Sequence, residues 1–140
     1  MMTTPEKIVE KMLVSDTFSK WMGLKVEEVG TGTCTLSMTV REDMLNGVGT
    51  LHGGVIFSAA DSAFAFACNS HGRVTVALTV SISFYEAGKL GDVLTITAQE
   101  THLGNKTAHY NIEVFNQNGK NIATFKGTAY RTHLEHEIAI

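Results

Sequence analysis

The sequence predicts an α+β fold, in which one long central helix is wrapped by an antiparallel β-sheet and preceded by an N-terminal helix. Three observations carry this. The run from about Gly54 to Ser70 is apolar on nearly every side and ends at Gly72, as a buried helix does. After it, apolar residues alternate with polar ones in strand after strand. The pairs Gly104-Asn105 and Asn118-Gly119 fall where hairpin turns are needed, so consecutive strands pair mostly antiparallel.

Each element has its own signal. Thr4-Pro5-Glu6 reads as a helix start, with Thr4 as cap and Pro5 in the first turn, and that helix carries Ile8, Met12, Leu13, Phe18 and Trp21. From Leu24 to Val40 the pattern is β, with Leu36, Met38 and Val40 alternating against Thr35, Ser37 and Thr39. Asn46 to Gly54 is a glycine-rich loop. Strands follow over Val74 to Phe84, Asp92 to Thr101, Thr107 to Asn116 and Asn121 to Thr132. A helix apolar nearly all round cannot be covered by one sheet face, so its remaining side requires another surface, most simply a second copy of the chain.

The 140 residues fit a single domain spanning 1–140. A net charge of −3 without a basic stripe argues against nucleic-acid binding. No apolar run reaches the length of a membrane span, and the start MMTTPEKIVEKML lacks the features of a secretory signal. Two cysteines, Cys34 and Cys68, with no CxxC pair suit a reducing compartment, so a cytoplasmic location is expected, and Cys68 reads as core filling. His102, His109, His133 and His136 have no metal-ligand spacing, and the HLEHE segment reads as a solvated tail. No metal and no cofactor is expected.

Asp61 is the residue that points to chemistry. It is the only Asp, Glu, Lys or Arg between Asp43 and Arg73, and it is set among Phe57, Ala59, Ala60, Ala63, Phe64 and Ala65. A carboxylate there is costly unless it is paired or used, and poor solvation raises its pKa toward that of a working base or nucleophile. Upstream, Asn46, His52, Gly53 and Gly54 offer polar groups and bare N–H donors at a helix start, suited to polarising a carbonyl oxygen. Asp61 lies eight residues past Gly53, about 12 Å along the axis. A base and an oxyanion donor acting on one carbonyl must lie within about 3 Å of the reacting atoms. Two antiparallel helices bring Asp61 of one chain to Gly53 of the other, giving two sites per dimer; the alternative is that Asp61 is an interface cap or ion pair.

Asn46-Gly47, His52-Gly53-Gly54 and Asp61 closely resemble the active-site segment of hotdog-fold acyl-CoA thioesterases, in particular the phenylacetate-degradation (PaaI) branch. Its LNG…HGG…FSLAD…FA-ACNS-G pattern is matched almost throughout from Leu45 to Gly72, and the likeness continues through SISFYEAGKLGD and the last three strands. The resemblance implies hydrolysis of an acyl-CoA thioester, with an aromatic acyl group such as phenylacetyl or hydroxyphenylacetyl. It implies that Asp61 activates water or attacks the carbonyl, that the Gly53 N–H polarises it with Asn46, and that His52 orients the loop or contacts the thioester. It also implies sites shared between subunits of a homodimer or homotetramer. Some relatives place a serine on the strand after the helix; that position aligns with Ala77, and Thr79 is read as lying on the same strand face. The other substrate-binding candidates are Gly54, Phe57 as an acyl-pocket wall, and Lys89, Lys106 and Arg131 for the coenzyme A phosphates. The rival readings are an acyl-thioester dehydratase or hydratase on the same fold, which would pair His with an acid, and a non-catalytic acyl-CoA-binding protein.

Overall fold

A computed structural model describes residues 1–138. Helix α1 runs Thr4–Ser15 and α2 runs Thr17–Trp21, followed by strands β1 (Lys25–Gly30) and β2 (Thr33–Thr39). A short 3₁₀ turn (Glu42–Met44) leads into the glycine-rich loop and helix α3 (Gly53–Asn69). Strands β3 (Arg73–Phe84), β4 (Val93–Leu103), β5 (Thr107–Phe115) and β6 (Asn121–Glu135) complete the chain. They form one antiparallel sheet in the order β1-β2-β4-β5-β6-β3.

The sheet curls round α3. Inward residues of β2, β4, β5 and β6, among them Leu36, Ile96, Ile112 and Phe125, are fully buried with Ala59, Ala60, Ala63, Phe64 and Phe66 of α3. Alanines let the helix sit close to the strands, and the aromatic rings fill the remaining volume. Phe64 meets Tyr110 edge-on at 5.6 Å and Phe125 at 5.7 Å. Gly127 of β6 is where this packing is tightest, since a Cβ there would lie 2.7 Å from the Phe64 ring.

Four sequence expectations shift. The N-terminal helix is capped by Thr3, not Thr4: the Thr3 hydroxyl accepts from the Glu6 N–H and donates to its carboxylate. The single helix through Trp21 is broken at Asp16, whose backbone leaves the helical region and whose carboxylate caps α2 by accepting from the Ser19 N–H. The segment Leu24 to Val40 is a hairpin turning at Gly32, where φ is +75°. The C-terminal HLEHE segment is mostly solvent-exposed, as read, but it is ordered and not a free tail. Strand β6 continues to Glu135, the His136 N–H donates to the Gly72 carbonyl, and its ring bonds Asn69 Oδ1 at 2.7 Å.

The hairpin turns fall where Gly104-Asn105 and Asn118-Gly119 place them. Strand β3, by contrast, skips its sequence neighbour β4 and pairs with the last strand. That leaves β3 at the sheet edge with its outer side unpaired.

Replacing Gly127 with Ala should drive a methyl group into Phe64 and destabilise the fold by about 1–3 kcal/mol. A urea titration checks this: the midpoint falls, and the companion change Phe64→Leu should recover part of the loss.

Candidate active site

The glycine-rich loop is closed by Asn46. Its Oδ1 accepts from the Val48 and Thr50 N–H groups at 3.0 and 3.1 Å, and its Nδ2 donates to Thr50 Oγ1 at 3.0 Å. One Nδ2 hydrogen is left over. Asn46 thus spends most of its bonding on loop shape. The loop is tied to its surroundings by the His52 N–H to the Met44 carbonyl and the Leu51 N–H to the Gly88 carbonyl.

His52 caps α3. Its Nδ1 accepts from the Gly54 N–H at 2.8 Å, so the ring proton of the neutral form sits on Nε2. Gly54 has to be small for this, because a Cβ would lie 2.9 Å from His52 Nδ1. With the Gly54 N–H used in the cap, the Gly53 N–H has no acceptor among the described residues. Gly53 lines a cleft of about 350 Å³ together with Leu51, Ile56, Phe84 and Tyr85. The Phe84 ring lies over Gly53, 3.3 Å from where a Cβ would stand. The exposed pair Phe84-Tyr85 was not singled out from the sequence; the signal was there, as two adjacent aromatics closing an alternating strand.

Asp61 is half-buried and makes no hydrogen bond or ion pair among the described residues. Burial pushes its carboxyl above the usual carboxylate range. It lies on a stripe of α3 with Gly54, Ser58 and Ala65 that is incompletely covered by the described residues. Within this chain, Asp61 and the Gly53 N–H are separated by two helical turns, about 12 Å. On its flank, Ser62 Oγ is 2.8 Å from Ser19 Oγ, and Ser19 in turn donates to Asp16 at 2.6 Å. Since the single Ser19 hydroxyl hydrogen goes to the carboxylate, Ser62 is the donor to Ser19. This three-residue chain holds α2 against α3 beside Asp61.

The remaining candidates are dispersed. Phe57 is half-buried and packs on Phe125 at 5.4 Å, bordering the open stripe. Thr79 is not on the face of Ala77. A one-residue bulge at Leu78 breaks the alternation, so Ala77 pairs with Ala129 and Thr79 with Thr128. Thr79 therefore lines a groove with Ser81, His109 and Lys126 on the side of the sheet turned away from α3. Lys89 sits in the turn after β3 beside Asp92, at the Gly53 end of the molecule. Lys106 and Arg131 lie together at the opposite end, where the Arg131 N–H donates to the Lys106 carbonyl. One coenzyme A tail on one chain cannot meet all three. Cys34 and Cys68 are buried, and burial pushes both thiols up to about 12, which fits core packing.

Comparison with known proteins identifies the family. The family model of the thioesterase superfamily matches residues 48–123, a segment holding the helix cap, Asp61 and the first strands after it. Acyl-coenzyme A thioesterase PaaI of Escherichia coli K12 is 43% identical over 120 residues, covering 86% of each chain. The solved structure of E. coli PaaI superposes with a TM-score of 0.92 at 39% identity, covering 94% of this chain and 96% of that one. A Streptococcus mutans protein solved with acetyl-CoA bound superposes at 0.78 with 29% identity, over 81% of this chain and 91% of its own. With its long helix wrapped by a six-stranded antiparallel sheet, the chain is a hotdog-fold acyl-CoA thioester hydrolase and belongs to the thioesterase superfamily.

Proposed function

We propose that Asp61 is the general base or nucleophile of thioester hydrolysis and that each active site is assembled from two copies of the chain. The observation that carries this reading is the half-buried Asp61, which has no partner among the described residues and lies on the open stripe of α3. A desolvated, unpaired carboxylate is costly to keep, and it is suited to accepting a proton or attacking a carbonyl. The Gly53 N–H at the positive end of the helix supplies the oxyanion donor, supported by the spare Asn46 amide hydrogen, while His52 fixes the loop. In the water route, Asp61 takes a proton from water as its oxygen bonds to the carbonyl carbon; the tetrahedral oxyanion then collapses, the C–S bond breaks and the coenzyme A thiolate leaves.

The second copy is supported at two places. The open stripe Gly54, Ser58, Asp61 and Ala65 is small enough for another helix to approach closely. Beside it, the unpaired edge of β3 exposes Val76 at 51% and Leu78 at 56%. Long apolar edges of this kind need a partner strand. Pairing β3 with its copy antiparallel extends the sheet and sets the two α3 helices antiparallel, which places Asp61 of one against Gly53 of the other. A dimer, or a dimer of dimers, follows.

The substrate class is a coenzyme A thioester of an aromatic acid, such as phenylacetyl- or hydroxyphenylacetyl-CoA. It rests on the likeness to the PaaI thioesterase and on the aromatic walls Phe84, Tyr85 and Phe57 beside the two half-sites. The reaction itself calls for no cofactor, because a base and an oxyanion donor suffice for a thioester. Among the described residues no helix is long and apolar enough to cross a membrane. The two buried thiols suit a cytoplasmic enzyme.

Asp61→Asn should lower kcat for phenylacetyl-CoA by about 10²- to 10⁴-fold, measured by thiol release. A fall of less than fivefold would remove Asp61 from the chemistry. In the wild type, kcat/KM should rise with pH and level off above the raised Asp61 pKa, because only the ionised carboxylate works. The same shift acts on stability with the opposite sense. A carboxyl whose folded pKa is raised favours folding when protonated, and that contribution is lost as pH rises through the folded pKa. Asp61→Asn should therefore raise Tm at neutral pH, and the gain should shrink as the pH is lowered toward the carboxylate range.

A further inference from the structure

We propose that Arg41 is a positioning residue for the reaction, tying helix α2 to the turn that holds the His52 cap and the Gly53 N–H; the assignment rests on the reading of that N–H as the oxyanion donor. Arg41 stands between β2 and the 3₁₀ turn Glu42–Met44, and its guanidinium reaches to both sides. On one side Nη2 donates to the Trp21 carbonyl at 2.6 Å, at the last residue of α2, where helix carbonyls lack an internal partner. The guanidinium carbon also lies 5.1 Å from the Trp21 ring centroid, within cation–π range. On the other side Nε donates to Asp43 Oδ1 at 3.1 Å.

The turn passes this hold to the glycine-rich loop. The Met44 N–H donates to the Arg41 carbonyl at 3.1 Å, and the Arg41 N–H donates to Met44 Sδ at 3.4 Å, so the turn closes on a buried methionine. The Met44 carbonyl accepts from the His52 N–H at 2.9 Å. His52 then caps α3 through the Gly54 N–H, and Gly53 lies inside that capped turn.

The far side of α2 is anchored independently. Ser19 bonds Asp16 and Ser62, and Ser62 is the neighbour of Asp61 in α3. Helix α2 is therefore a strut with one foot beside Asp61 and the other, through Arg41, on the turn before His52. Gly23 makes room for the second foot: its φ is +68°, and a Cβ there would stand 3.2 Å from Arg41 Nη1. Phe18 stacks on Trp21 at 6.0 Å and 6°, which steadies the ring under the guanidinium. A lysine ammonium lacks the planar fork that meets a carbonyl on one side and a carboxylate on the other. The Arg41–Asp43 pair is partly exposed and adds little stability by itself, so Arg41 contributes placement more than stability.

Arg41→Met keeps the stem and removes the fork. It should lower kcat for phenylacetyl-CoA about tenfold, with KM within about twofold and Tm nearly unchanged. Arg41→Lys should lose about threefold in kcat, since it keeps the charge without the fork. A double-mutant cycle with Gly53→Pro, which deletes the N–H, separates placement from other effects. On the residual rate of Gly53→Pro, Arg41→Met should act less than about twofold, because the group it positions is gone. An unchanged kcat in the otherwise wild-type chain, or a loss of about tenfold in both backgrounds, would overturn the positioning role. Should Arg41→Met fail to fold, the cycle is read with Arg41→Lys, whose loss should likewise vanish beside Gly53→Pro. Trp21 is the only tryptophan of the chain, so its fluorescence reads the Arg41 contact directly. Its emission should change in Arg41→Met and stay as in the wild type in Asp61→Asn; no change in Arg41→Met would overturn the contact. A wild-type kcat in Gly53→Pro alone would instead count against Gly53 as the oxyanion donor.

Discussion

Everything in this fold depends on burying α3. A seventeen-residue helix that is largely apolar, with five alanines, three phenylalanines and one charge, is stable in water only if it is surrounded. The sheet curls round it, α1 and α2 cover its flank, and the Asp16–Ser19–Ser62 chain fastens that cover. The alanines permit close approach to the strands, while Phe64 and Phe125 fill the space this leaves. The helix is thereby a rigid ruler that fixes where its cap and its single carboxylate lie.

The ruler also sets the problem that the proposed second copy would solve. Among the described residues the Gly53 N–H has no acceptor and the Asp61 carboxylate has no partner, two turns apart on one axis. Each is unfavourable alone. In the proposed dimer, a second helix reversed against the first would bring the unlike ends together, and the small residues around Asp61 leave room for that approach. The half-burial of Asp61 keeps the carboxyl poorly solvated and its pKa raised, and among the described residues it has no partner that would lock it in the ionised form.

The helix, the turns and the site segment were legible in the sequence because their signals are local. An isolated Asp in an apolar run, a His-Gly-Gly cap and two Asn/Gly turns need no tertiary context. Signals that compete within a few residues were harder to read. Thr3 and Thr4 both suit a cap, and Asp16 breaks a helix whose apolar stripe runs on across it. The bulge at Leu78 was hidden, because a one-residue register shift leaves the alternating pattern looking regular while it turns Thr79 to the other face. The pairing of β3 with β6 is a property of topology that no spacing encodes.

The shared-site geometry can be tested by mixing two disabled chains. Asp61→Asn removes the base. Gly53→Pro removes the N–H at a first-turn position where proline is tolerated, and the preceding His52 is already extended, with φ −62° and ψ 131°. Each variant alone should be nearly inactive. If Asp61 of one chain works with Gly53 of the other, co-refolding equal amounts should restore thioesterase activity to about a quarter of wild type, since half of the random dimers are mixed and each carries one intact site. Mixtures no more active than the separate variants would contradict a site shared between chains.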